Sequence, residues 1–217
     1  MKNIPRIFIN EKIEPGKKIS VEKDVLHYLK KVMRTDKCLI FNNGEEFYAN
    51  LNEDNKYLIA DKKTEHSDPS NEITFYFAPI KKTDEMLNMV TQMGVKRLQP
   101  VITDRTVAHH INWDRIKKII IEASEQSNRN SVPELLSPIN FSELSKKDLY
   151  FADERAAYDV EIKNSANRAK NILIGPEGGF SESEFAALDS SGAVGISLGK
   201  TILRAETAAV AALAKII

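Results

Sequence analysis

The spacing of apolar and polar positions changes character about a third of the way along the chain. From Arg6 to about Lys63 the segments "RIFIN", "KKISV", "CLIFNN", "EFYANL" and "KYLIAD" have strand length, and turn residues separate them, so they predict β-strands. In "NNGEE", Gly44 stands where a tight hairpin turn favours a residue tolerant of positive φ. These strands point to a small β-barrel. A single helix interrupts them, "VEKDVLHYLKKVMR", in which Val25, Leu26, Leu29, Val32 and Met33 recur at helical spacing. The polar stretch "KKTEHSDPSNE", residues 62–72, reads as a linker.

Beyond it the repeat alternates between strand and helix. "ITFYFAP" is a continuous apolar strand; the segment after it opens on Thr83 as a cap and sets Met86, Met89, Val90 and Met93 on one face before Gly94. "RLQPVIT" reads as a strand, and Trp113 to Ser124 as a helix with Ile116, Ile119, Ile120 and Ala123 inward. "LYFAD" reads as a further strand, and "NILIG" and "VGISLG" complete the set, each of these two followed by a helix. Strands that alternate with helices and are apolar on both faces predict an α/β domain with a mostly parallel sheet and helices on both faces.

Composition narrows the class. With 217 residues, 42% hydrophobic and 29% charged, the chain can bury two small cores and is typical of globular proteins. No apolar run nears the roughly 18 to 20 residues that cross a bilayer, and the first residues lack the apolar core of a signal peptide, so a cytoplasmic location is expected. The single cysteine, Cys38, reads as a buried strand thiol. Lys plus Arg and Asp plus Glu are equal at 31 each, so nucleic-acid binding would need local basic residues. His109 and His110 are adjacent and lack acidic or cysteine companions, so no metal site is expected.

Two glycine-bearing loops carry the candidate chemistry. Gly175, Pro176, Glu177, Gly178 and Gly179 follow one strand and lead into "FSESEF", where Ser181 and Glu184 have the spacing of a capping box. Glycines let a ligand approach the backbone, and open α/β sheets bind ligands just past the carboxyl ends of their strands. The second loop, "SLGKTILRAE", departs from the register of a phosphate-binding P-loop, which disfavours that reading. That pattern has four residues between its first glycine and Gly-Lys-Thr, whereas Gly195 and Gly199 are separated by three. The dinucleotide fingerprint GxGxxG is missing too, which disfavours a Rossmann dehydrogenase or Rossmann-type methyltransferase. The last segment, "AETAAVAALAKII", is apolar nearly all round, so it must be enclosed by its own domain, by a second subunit, or by both.

Taken together, "LIGPEGGFSESE" and "SLGKTILRAETAA" resemble the paired signature of the RsmE family, bacterial 16S rRNA (uracil-N3)-methyltransferases of the SPOUT superfamily. The resemblance extends through "PRIF", "VMRTDK", "MGVKRLQPVITDRT" and "EASEQSNRNSVPEL". The chain departs from the family at Gln92 and Met93, in "IKKTDEM", which lacks the usual glycine, and in "TDKC"; all three lie outside the C-terminal signature.

The resemblance implies a PUA-like, RNA-binding barrel over residues 1–68 and a trefoil-knotted methyltransferase domain over 72–217 that forms a homodimer. It implies S-adenosyl-L-methionine as cofactor and N3 of a uridine in 16S rRNA, free or in the small ribosomal subunit, as acceptor. By motif match, Leu173, Gly175, Pro176, Glu177, Gly178, Gly179, Leu198, Gly199, Leu203, Arg204, Thr207 and Ala208 would form the cofactor pocket. Glu177 either offsets the sulfonium charge or is a plain turn carboxylate. Arg204 and Glu206 would be catalytic, Arg204 holding an oxyanion and Glu206 orienting it or taking a proton; the bland reading is an ion pair between them. Arg6, Arg34, Arg105 and Arg129 would contact RNA. The competing readings are a non-catalytic RNA-binding or ribosome-assembly protein that keeps the fold, and a P-loop enzyme dependent on Lys200.

Overall fold

The computed structural model describes residues 4–69, 72–107, 111–158 and 171–217; His109 and His110 fall outside them. The chain divides into two units, one comprising Met1–Pro69 and Ile121–Val132, the other Ser70–Ile120 and Pro133–Ile217.

In the first unit β1 (Arg6–Phe8), β2 (Lys18–Ser20), β3 (Lys37–Asn42), β4 (Glu45–Leu51) and β5 (Tyr57–Lys63) form one sheet. Its order is β1-β3-β4-β5-β2, and its end strands β1 and β2 do not pair, so it is a half-barrel rather than a closed one. β1 runs parallel to β3 and the other neighbours are antiparallel. Ile7, Ile19, Leu29, Ile40, Phe47, Ala49 and Leu58 form its apolar core. The expected helix is present but irregular. α1 (Lys23–His27) widens into a π-helical turn, Tyr28–Met33, which Arg34 ends in the left-handed region at φ 53°. A regular repeat would turn Val32 inward with Leu29; the wider turn keeps Leu29 fully buried and leaves Val32 59% exposed.

The expected linker is only partly one. β5 runs to Lys63, and the residues after it are held: Asp68 accepts from the backbone of Asn130 at 2.6 Å, and Asn130 donates to the His66 carbonyl at 2.9 Å. The domain boundary drawn from sequence therefore misses that Ile121–Val132 packs with the first unit.

In the second unit β6 (Thr74–Phe77), β7 (Arg97–Ile102), β10 (Leu149–Ala152), β11 (Asn171–Ile174) and β12 (Val194–Ile196) pair in parallel in the order β12-β10-β11-β6-β7. Two short strands that the hydrophobic pattern does not reveal, β8 (Glu134–Leu135) and β9 (Ile139–Asn140), add to β7. The helices are α2 (Thr83–Gln92), α4 (Glu182–Ser190), α5 (Ala205–Ile216) and the first part of α3 (Trp113–Gln126), whose residues from Ile121 on belong to the first unit. Phe75, Phe77, Leu98, Leu149, Phe151, Ile172 and Leu173 are buried, as expected for strands covered on both faces. Thr83 is the first residue of α2 rather than its cap, and its hydroxyl accepts from the Ile80 N–H and donates to the Ile80 carbonyl. After β10 comes a 3-10 turn, Glu154–Tyr158.

Because β11 lies between β10 and β6, the carboxyl ends of three strands distant in sequence become neighbours. The loops that leave those ends build the site.

Candidate functional site

A cavity of about 510 Å³ opens at the carboxyl ends of β6, β10 and β11. Its walls are Lys81 and Lys82 after β6, Asp153 and Glu154 after β10, Gly175 to Glu177 and Gly179 after β11, and Leu198, Gly199, Thr201 to Glu206 and Ala208 on the segment leading into and opening α5. The volume is in the range of small-molecule sites, and Ile174, Leu198, Leu203 and Ala208 supply apolar wall beside a few charged groups.

The first glycine loop is held from beneath. Phe180 is buried in an aromatic cluster with Phe151 and Phe185, at centroid distances of 6.1 and 5.5 Å. Beyond it the expected capping box forms: the Ser181 hydroxyl accepts from Glu184 N at 3.2 Å, and Glu184 Oε2 accepts from Ser181 N at 2.8 Å. Glycine is needed at two positions by close approach. A Cβ on Gly179, whose φ is +68°, would lie 2.2 Å from Glu154 Oε1, and one on Gly195 would lie 2.7 Å from Asp153 Oδ2. The glycines thus admit two carboxylates from the end of β10. The second loop is tied to α5 by Lys215, whose ammonium donates to the Ser197 carbonyl at 2.6 Å.

Each carboxylate of the cavity has its own environment. Asp153 is buried and gripped by Arg155, with Nη2 to Oδ2 at 2.8 Å, while Arg155 also forks onto Asp189 and stacks on the Phe185 ring. Those two acids hold the Arg155 guanidinium more firmly protonated than usual, and Arg155 in turn lowers the Asp189 pKa. Glu177 is exposed and accepts from the Lys81 backbone N–H at 2.8 Å, bridging two walls. Glu206 faces Lys82 at 3.8 Å. Burial is the main cause that raises the Glu154 pKa, with Asp153 adding to it, and the N–H of Phe180 acts in the opposite direction.

Of the residues expected at the cofactor pocket, Gly175, Pro176, Glu177, Gly179, Leu198, Gly199, Leu203, Arg204 and Ala208 line the cavity. Three do not. Leu173 is wholly buried in the core beneath the loop, Gly178 points its carbonyl to Arg105 at 2.8 Å, and Thr207 faces solvent from α5. The ion pair considered between Arg204 and Glu206 gives way to Glu206 with Lys82, while Arg204, exposed, precedes the first residue of α5. Lys81, Lys82, Asp153 and Glu154 are lining residues that sequence reasoning missed. Asp153 and Glu154 directly follow β10 and Lys81 and Lys82 lie a few residues past β6, and that position at strand ends was the available signal.

The four arginines divide. Arg34 and Arg105 are exposed. Arg6 is buried, and its guanidinium meets Glu46 at 2.9 Å, the carbonyls of Ser124, Glu125 and Arg129, and Asn130 Oδ1. It also lies over the Phe41 ring. Arg129 is 9% exposed, and burial lowers its pKa. Arg6 and Arg129, both expected at the RNA, are thus buried side chains, whereas Arg34 and Arg105 are exposed.

A family model described as an RNA methyltransferase domain matches residues 66–217. A ribosomal RNA small subunit methyltransferase E from Rickettsia conorii is 34% identical, covering 97% of this chain and 94% of that protein. One from Mesomycoplasma hyopneumoniae is 30% identical over 98% of each. The crystal structure of a ribosomal RNA small subunit methyltransferase E from Neisseria gonorrhoeae, bound to S-adenosyl methionine, superposes with a TM-score of 0.81 at 26% identity, covering 98% of this chain and 96% of that one. By full-length sequence identity and by fold, this chain belongs to the ribosomal RNA small subunit methyltransferase E family.

Proposed function

We propose that this protein is an S-adenosylmethionine-dependent methyltransferase that modifies N3 of a uridine in 16S rRNA. The observation that carries the reading is the cavity bounded by both glycine loops in a chain of this family. Its residues suit the cofactor: glycine backbone at the walls, apolar surface for a purine, and charged groups for an amino-acid end. When bound there, S-adenosylmethionine supplies an electrophilic methyl group on a sulfonium. Gly175, Gly179, Leu198, Gly199, Leu203 and Ala208 would hold it, and Pro176 would stiffen the turn. Arg204, at the cavity wall, would present its planar fork to the oxygens of the uracil as charge develops there. Glu206, held opposite Lys82, would keep the loop before α5 in place.

The finer architecture supports the same reading. After β12 at one edge of the sheet the chain returns to α5, which packs on α2, β10 and β11, a return of the C-terminal helix to the sheet that supports reading the domain as a trefoil knot. We take the half-barrel unit as PUA-like and RNA-facing, with Arg34 there and Arg105 in the other unit as phosphate contacts. α5 is an apolar helix with Val210 and Ala211 half-buried and Ala214 exposed, which favours a homodimer through the C-terminal domain. An rRNA substrate would put the protein at work in the cytoplasm.

The test is transfer of labelled methyl from S-adenosylmethionine to 16S rRNA, naked or in small subunits purified from cells lacking this protein. Product mapping by mass should find 3-methyluridine. RNA binding without transfer would instead favour a non-catalytic assembly protein, and transfer to another atom would overturn the N3 assignment. In the same assay Arg204→Ala should keep cofactor affinity within a few-fold and lose about a hundredfold or more in turnover, the usual scale for one group stabilising developing charge.

A further inference from the structure

Four carboxylates line the cavity, and three are already engaged. Asp153 is gripped by Arg155, Glu177 accepts the Lys81 N–H, and Glu206 faces Lys82. Glu154 is different. Among the described residues no cation lies within ion-pair distance of it; the N–H groups of its own backbone and of Phe180 favour its ionised form, and Arg155, engaged with Asp153 and Asp189, adds a weaker attraction. Its carboxylate occupies the space that a side chain on residue 179 would fill, so the glycine loop is shaped around it. A half-buried carboxylate held by neutral donors, with its ionised form disfavoured by burial, gains most from a cation entering the cavity.

Resting on the methyltransferase reading, we infer that Glu154 is the counter-charge to the sulfonium of bound S-adenosylmethionine, and that it makes the cavity prefer the charged donor over the neutral thioether product. Glu177, the candidate that the sequence suggests for this role, is exposed and spent on the Lys81 backbone. The arrangement favours product release: once the methyl has left, the attraction that held the charged ligand is gone, while contacts to adenine, ribose and the amino-acid end persist.

The other charges around Glu154 are Asp153 and Arg155 on its own segment, Glu177 across the glycine loop, and Lys81, Lys82, Arg204 and Glu206 on the remaining walls. S-adenosylmethionine and S-adenosylhomocysteine meet all of them alike except through the sulfonium. Calorimetric titration of both ligands into the wild-type protein and into Glu154→Gln isolates that difference. The variant should bind S-adenosylmethionine about tenfold more weakly and S-adenosylhomocysteine within about twofold of wild type. In the wild type, affinity for S-adenosylmethionine should fall relative to S-adenosylhomocysteine as pH drops through the raised pKa of Glu154, and this second measurement needs no variant. Equal weakening of both ligands with parallel pH profiles would assign Glu154 to the ribose or the ammonium group and overturn the inference. Unchanged affinities would overturn it as well. A wild type that binds neither ligand would instead remove the methyltransferase reading itself.

Discussion

At the residue scale, the decisive facts are which charged side chains the fold encloses. A sequence marks Arg6, Arg34, Arg105 and Arg129 alike, because nothing in the local pattern says whether a guanidinium meets solvent. Arg6 meets instead a buried carboxylate, three carbonyls and an amide oxygen, contributed by residues 40 or more positions away. Removing it would strand Glu46, which is 3% exposed, as an uncompensated buried charge. Arg6→Ala should therefore cost about 3 kcal/mol or more in folding stability, read from a urea denaturation midpoint. A residue that serves RNA binding alone would leave that midpoint unmoved. Glu154 belongs at this scale too, since it was invisible in "ADER" until its carboxylate was found against Gly179.

At the element scale, local signals were legible where they close over three or four residues. Ser181 and Glu184 form the reciprocal cap that their spacing announces, and α4 starts where the sequence says. Ser181 also donates to Asp104 Oδ2 at 2.6 Å, so the cap ties the glycine loop to the loop after β7. Ser181→Ala should cost about 1 kcal/mol, measured as a lower melting temperature. The π-helical turn at Tyr28–Met33 was not legible, because burial of Leu29 against the half-barrel core decided the winding. β8 and β9 were missed for a related reason. Two residues carry no period, and both are strands only because β7 offers them an edge.

At the scale of the whole molecule, the half-barrel unit carries a buried titratable group as a probe of its integrity. Burial pushes the Cys38 thiol from an ordinary 9.0 up to about 12. The folded state thus holds the protonated thiol, and the stability this gives is complete below pH 9 and is lost as pH rises from 9 to about 12. Compared with Cys38→Val, the wild type should lose stability more steeply across that alkaline window, and its thiol should react with a disulfide reagent only on unfolding. By itself the sequence determined the strand–helix alternation, the two glycine loops, the capped start of α4 and the family, all of which rest on short-range spacing or motif identity. Only the tertiary structure decided that Ile121–Val132 belongs with the half-barrel, that Arg6 and Arg129 are buried, and that Asp153 and Glu154 stand behind the glycines. The physical reason is the strand order. Setting β11 between β10 and β6 makes neighbours of groups far apart along the chain and brings Asp153 and Glu154 up to the glycine loops, while the β1-β3-β4 order of the other sheet sets Arg6 beside Glu46.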